Sequence, residues 1–229
     1  MNMETLNIKT ATEETKAYVA RPNEKASAVI LLIQEYWGIN DHIRDIAGRY
    51  AKEGYLCVAP DLYRGKIAAN AQEASKLMQS LQMKDGLEII RKTIEETERA
   101  YGAHKIGITG YCMGGTYALR TACEDGQLSA AAPFYGDIPP ENVLKNLRVP
   151  TLFIAANHDA WINPEKVDTL RQAAQKHNLP VEIVAYDADH AFFNDTRPQV
   201  YDAAAASDAW KRVLALFSKY LGQTAVRSA

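Results

Sequence analysis

The run Gly110-Tyr111-Cys112-Met113-Gly114-Gly115, directly after Lys105-Ile106-Gly107-Ile108-Thr109, constrains this chain more than any other segment. A short apolar run of this kind predicts a buried strand, and the residues after it predict a helix. A sharp strand-to-helix turn of the form Gly-x-nucleophile-x-Gly exposes the side chain at its tip, and the glycines keep other atoms clear of it. Sulfur stands here where such an elbow usually carries a serine hydroxyl. A cysteine in an apolar run is ordinarily a small core hydrophobe; at an elbow it is a candidate nucleophile.

An elbow implies partners in a set chain order, acid and then histidine, each beyond a later strand. Asp159 follows the strand-like run Thr151 to Ala156 through Asn157-His158 and precedes Trp161-Ile162-Asn163-Pro164, a helix start. His190 follows the strand-like run Val181 to Tyr186, within Asp187-Ala188-Asp189-His190-Ala191-Phe192. Singly, Asp159 reads as a turn residue and His190 as a loop residue. Together they fall in the required order, at the strand ends where open α/β sheets collect catalytic groups.

The rest of the chain is consistent with such a sheet. Strand-like segments around Leu6-Asn7-Ile8 and Ala17-Tyr18-Val19 lead to the strand Ala28 to Ile33. Next comes a helix from about Asp41, with Ile43, Ile46, Ala47 and Tyr50 at helical spacing and Gly54 as its stop. Strand and helix then alternate: Tyr55 to Val58, two helices before Lys105, the elbow helix, Ala130 to Tyr135, Thr151 to Ala156, Pro164 to His177, Val181 to Tyr186, and a last helix around Ala203 to Leu221. Glu88 to Arg99 is the densest charge run, read as the solvated face of a helix whose inner stripe is Leu87, Ile89, Ile90 and Ile94. The alternation predicts an α/β fold, a mostly parallel central sheet with helices on both faces, in one domain spanning 1–229. Strand order is not legible at this level.

With Gln34-Glu35-Tyr36-Trp37-Gly38 and Asn40 after the first strong apolar run, the elbow motif resembles the dienelactone hydrolase family, a cysteine-dependent branch of the α/β-hydrolase fold. Val58-Ala59-Pro60-Asp61-Leu62-Tyr63, Tyr135-Gly136 and the Asp159 and His190 loops extend the resemblance over nearly the whole chain. It implies catalysis by Cys112, His190 and Asp159, with Glu35 controlling whether the sulfur is thiol or thiolate. Backbone N–H groups of Tyr36 and Met113 would form the oxyanion hole. Family members grip a substrate carboxylate with two arginines, and the matching positions here are Ala71 and Asn194; Arg64 and Arg197 are read as surface charges. The resemblance also places Met78 and Ser75 in the pocket from the helix spanning roughly Ala71 to Leu81. Trp37, Trp161 and Tyr135 fall near the site, and Phe192 and Phe193 either wall the pocket or pack the histidine loop down.

The implied chemistry is hydrolysis of a small carboxylic ester or lactone through an acyl-cysteine, with no metal or organic cofactor. Thiolate, not thiol, attacks, and the helix start and His190 are expected to favour the anion. Acyl transfer or phosphotriester hydrolysis could use the same groups. A thiol redox sensor or a non-catalytic ligand-binding protein is the rival of a different class.

Other partners are disfavoured. Lys+Arg 26 against Asp+Glu 28 leaves no basic footprint for nucleic acid. The start Met1-Asn2-Met3-Glu4 lacks a basic, apolar leader, and no run approaches a membrane span. Cys57, Cys112 and Cys123 have no disulfide spacing, which predicts a reducing, cytoplasmic setting and a monomer or small homo-oligomer. His158 beside Asp159 lacks further ligands at metal spacing. His42, His104 and His177 are expected on helix surfaces or strand edges, without a role.

Overall fold

The computed structural model describes residues 4–222 apart from residues 25 and 27. Eight strands, β1 (Glu4–Lys9), β2 (Glu14–Ala20), β3 (Val29–Ile33), β4 (Leu56–Pro60), β5 (Ile106–Tyr111), β6 (Leu128–Phe134), β7 (Thr151–Ala156) and β8 (Val181–Tyr186), form one sheet in the order β1-β2-β4-β3-β5-β6-β7-β8. From β4 to β8 all pairings are parallel; β1 and β2 add an antiparallel edge.

Burial explains the sequence pattern. Every residue of β3, β4, β5 and β7 is buried, so these strands read as continuous apolar runs with no polar face. The edge strands β1 and β8 mix exposed and covered positions and carry charges such as Glu4, Lys9 and Glu182, which blunt open edges.

Among the described residues seven helices cover the sheet: α1 (Asp41–Lys52), α2 (Ala71–Ser80), α3 (Met83–Tyr101), α4 (Met113–Glu124), α5 (Glu141–Leu144), α6 (Pro164–His177) and α7 (Ala203–Leu221). Alternate residues of β3 face opposite cores. Val29, Leu31 and Ile33 meet Ile89, Ile90 and Ile94 of α3, Tyr117 and Leu119 of α4 and Leu170 of α6. Ile30 and Leu32 meet Ile43, Ile46 and Tyr50 of α1 and Val213 and Phe217 of α7. Truncating one such side chain to alanine typically costs about 2–5 kcal/mol. Helix starts follow local chemistry: the side chains of Asn40, Asn70, Asn163 and Asp202 each accept a backbone N–H of the first turn, and Pro164 opens α6. The one-turn α5 has no counterpart in the sequence reading.

His42, expected on a surface, is 3% exposed. It lies under Asp195, with Nδ1 3.4 Å from the carboxylate, and Asp195 also pairs with Arg49. Through Asp195, α1 is tied to the chain just beyond His190.

Candidate active site

The elbow depends on close backbone packing. Cys112 sits between β5 and α4 at φ 54°, ψ −116°. That conformation strains a residue bearing a Cβ, and such strain collects at functional sites. The backbone holds it: the Cys112 N–H donates to Phe134 O at 3.1 Å, and Cys112 O accepts the Thr116 N–H at 3.2 Å. A Cβ on Gly110 would collide with Gly114 O, on Gly114 with Ile33 O, and on Gly115 with Phe134 O. Glycine is required at these places because backbones touch. Tyr135 (φ 35°) and Ala191 (φ 65°) are strained in the same way, and with Cys112 both line one cavity of about 760 Å³.

At the end of β7, Asp159 is 2% exposed and bonded on both oxygens. Oδ1 accepts the N–H groups of Trp161 and Ile162 at 2.8 and 2.9 Å, and Oδ2 lies 2.5 Å from His190 Nδ1. Burial alone would push this carboxyl up, but the bond to His190, the imidazolium charge and the two backbone donors outweigh it and hold Asp159 below its ordinary value. With Nδ1 engaged, the other ring nitrogen of His190, Nε2, is buried without a protein partner on the cavity side of the ring. Trp161 stands edge-on to the imidazole at 5.0 Å, and Tyr135 packs against it at 5.0 Å.

At the end of β3, Glu35 is 2% exposed. Its one side-chain donor is Asn194, whose Nδ2 lies 2.9 Å from Oε2. Asn194 Oδ1 accepts the Thr196 N–H at 3.1 Å and the Thr196 hydroxyl at 2.6 Å, which orients the amide with its NH₂ toward Glu35. Burial pushes Glu35 up to about 7, against the opposing pull of the Arg197 charge and the Asn194 bond. Sequence reasoning alone would leave Glu35 on the surface.

The thiol departs from expectation. Burial pushes Cys112 up to about 12, and the negative charge of Glu35 adds to that. The Met113 N–H at the start of α4 and the Arg197 charge favour the anion, as expected of a helix start, but burial wins. The surroundings of Cys112 thus favour the thiol over the thiolate.

The cavity collects Glu35, Tyr36, Met78, Cys112, Met113, Tyr135, Trp161 and His190 among the expected residues, with Ala71 and Ser75 beside Met78. Two expected pocket residues lie elsewhere. Trp37 packs edge-on against Tyr36, with centroids 4.6 Å apart, and takes the Ala68 N–H on its carbonyl, so it backs the pocket without lining it. Phe192 is fully buried between Tyr135 and Tyr186, and Phe193 stacks on Tyr111 and Phe134; both pack the loop down. Conversely Arg197, read as a surface charge, lines the cavity. Its N–H donates to Asn194 O at 3.1 Å, and its charge acts on both Glu35 and Cys112. Arg64 pairs with Glu13 away from the cavity. The sequence reading also passed over Tyr117, Leu81 and Met83 in the cavity lining, and over Asp137 paired with the half-exposed Lys166 at 2.8 Å beside them.

A mostly parallel sheet with a strained nucleophile elbow, and with acid and histidine loops after later strands, defines an α/β-hydrolase. Residues 15–221 match the model of the "Dienelactone hydrolase family". The chain is 34% identical to "Protein usf" of Aquifex pyrophilus over 221 residues, 91% of this chain and 94% of that one. It is 34% identical to the "Putative carboxymethylenebutenolidase" of Escherichia coli K12, covering 90% of this chain and 83% of that one. Among solved structures, the "Putative Dienelactone Hydrolase from Klebsiella pneumoniae subsp. pneumoniae MGH 78578" superimposes with a TM-score of 0.88 at 32% identity, over 96% and 99% of the two chains. A "Dienelactone Hydrolase-like" promiscuous phosphotriesterase, P91 from metagenomic libraries, shares the fold at 18% identity and a TM-score of 0.83. The chain belongs to the dienelactone hydrolase family, and is a hydrolase of the kind that acts on esters and lactones. No helix of the described residues is long and apolar enough to cross a membrane.

Proposed function

We propose that the protein hydrolyses small carboxylic esters or lactones through an acyl-cysteine on Cys112. The observation that carries this is the shared cavity: the strained elbow places Cys112 on the cavity that His190 also lines, and His190, held by Asp159 through Nδ1, keeps Nε2 without a protein partner. His190 Nε2 takes the thiol proton as sulfur adds to the carbonyl carbon, and the carbonyl π electrons move to oxygen. The oxyanion rests on the N–H groups of Met113 and Tyr36; one such donor typically contributes a hundredfold or more in turnover. The C–O bond then breaks, and the proton on His190 passes to the departing alcohol oxygen. Water next gives a proton to His190 as it attacks the thioester, and the sulfur leaves and recovers its proton.

Glu35 modulates this cycle. As a carboxylate it opposes charge on sulfur; protonated, it does not. Near neutral pH it is present in both forms, so thiol reactivity is linked to its ionisation.

Steady-state hydrolysis of a neutral short-chain aryl ester beside an anionic dienelactone tests the reading, with Cys112→Ala as the blank. Turnover in wild type and a loss of about a thousandfold or more in Cys112→Ala is expected; a variant retaining more than a few per cent of the rate removes Cys112 as nucleophile. Dienelactone turnover would assign carboxylate binding to Arg197, because neither Ala71 nor Asn194 carries a charge. The second reading, phosphotriester hydrolysis, draws on the activity named for P91, and a phosphotriester in the same assay decides it. Oxidant sensing is disfavoured by placement: Cys123 lies at the far end of α4 and Cys57 is wholly buried in β4.

A further inference from the structure

The cavity lining is of two chemically distinct kinds. Cys112, His190, Glu35 and Arg197 supply reactive and charged groups; Met78 of α2, Leu81, Met83 of α3, Tyr117 of α4 and Trp161, whose ring stands edge-on to His190, supply apolar surface. We propose that this apolar set forms an arm of the cavity that binds an apolar group of the substrate, so that the preferred esters carry a chain or ring of several carbons on one side of the scissile bond.

Three observations converge on it. The volume, about 760 Å³, lies in the range that encloses a drug-sized ligand and is far more than a small lactone fills. Ala71, Ser75 and Met78, spaced four and three residues apart, put one face of α2 on the cavity, and the two small residues leave depth beside the methionine. Finally, of the five large apolar side chains exposed among the described residues, three, Met78 at 39%, Met83 at 38% and Trp161 at 69%, line this cavity. A cluster of exposed apolar groups marks a surface that something apolar covers.

The occupant is part of the substrate because the patch is continuous with the cavity that holds Cys112, and the Asp137–Lys166 ion pair gives its rim a polar border. The two methionines, Met78 and Met83, adapt to different shapes, so the site selects for apolar bulk more than for one outline.

The inference rests on the Cys112 esterase reading, and the test separates the two. Values of kcat/KM are measured for p-nitrophenyl acetate, butyrate, hexanoate and octanoate, and for acetate esters of ethanol, butanol and hexanol, with wild type, Met78→Glu and Cys112→Ala. In one of the two series kcat/KM is expected to rise about two- to fourfold per added methylene until the arm is full. The series that rises assigns the arm to the acyl or to the alcohol half. Met78→Glu lowers the long-to-short ratio at least about fivefold; Ser75→Phe, which fills the arm instead of charging it, moves the optimum to shorter chains and serves if Met78→Glu does not fold. Flat profiles in both wild-type series, or a ratio that neither variant changes, overturn the apolar site. If no ester shows Cys112-dependent turnover, the esterase reading fails instead. The arm is then decided by Trp fluorescence titration of Cys112→Ala with 1-hexanol against ethanol: binding of hexanol at a concentration at least about tenfold lower supports it, and equal concentrations overturn it.

Discussion

Two buried carboxylates stand at the site from different strand ends, Glu35 on the cavity itself and Asp159 behind His190, and they have been pushed in opposite directions. Asp159, beyond β7, has two backbone donors on one oxygen and the imidazole on the other, and stays ionised. Glu35, beyond β3, has one neutral amide donor and an arginine across the pocket, and is raised to about 7. Both are 2% exposed, but Glu35 is the more deeply enclosed of the two and also has fewer donors. Groups driven apart in this way fit the proposed division of labour, in which a permanent anion would orient the imidazole and a titrating acid would tune the thiol.

The most direct way to break this comparison is Asp159→Asn. In a Ser-His-Asp triad the same change costs about 10⁴ in turnover by favouring the wrong tautomer. Here a loss of about 10²–10⁴ in kcat with little change in KM is expected from steady-state kinetics, and a loss under tenfold would show that His190 does not depend on Asp159. Smaller is the effect of Glu35→Gln on the sulfur. Removing a negative charge that pushes the thiol up should lower the pH midpoint of Cys112 alkylation by iodoacetamide, with a rate about tenfold higher at pH 8. An unchanged rate across pH removes Glu35 as modulator.

Stability sharpens the contrast. Glu35 goes from an ordinary 4.5 to about 7 on folding, so between those values the folded chain holds a proton that the unfolded chain has released, and stability falls as pH rises through that window. The cost is on the order of 3 kcal/mol once both states are deprotonated. Asp159, lowered on folding, contributes stability above its unfolded value that is lost as the pH falls through its folded one. Denaturant titrations at pH 5 and pH 8.5 should therefore show wild type losing more stability at the higher pH than Glu35→Gln does; parallel losses would contradict a raised Glu35. The smallest effect belongs to the donor. Asn194→Ala removes the bond to Glu35 and should move the alkylation midpoint by less than about one pH unit. Thr196→Val, which frees the amide to turn, should move it the same way by less, and Thr196→Ser should restore it.

How much of this is legible in the sequence depends on what sets each feature. Strand-end positions such as Cys112, Asp159 and His190 follow from local patterns, an apolar run and then a loop, and the same patterns predict α1 to within two residues of its end and α7 over its whole length. Strand order depends on which runs find each other across the chain, and nothing local encodes that β4 lies between β2 and β3. The pocket lining is harder still. Trp37 and Phe192 lie in the correct loops, but a turn of one residue decides whether such a ring faces the cavity or the core. Arg197 is three residues from Asn194 in a loop whose hydrogen bonds fold it inward. Neither its placement nor the burial of Glu35 has a periodicity to betray it.

The elbow's crowded backbone has a further consequence for anyone altering this enzyme. Gly110, Gly114, Gly115 and Gly136 perform no chemistry, yet a methyl group at any of them would overlap backbone of β3, β5, β6 or α4 or of the turns between them. A saturation library read out by folding yield alone, with no substrate present, would thus trace the outline of the site through positions that accept only hydrogen. Cys112 itself, which lines the cavity, would pass that screen with small unbranched replacements. The tolerance map and the activity map of this protein should be near negatives of each other at the elbow.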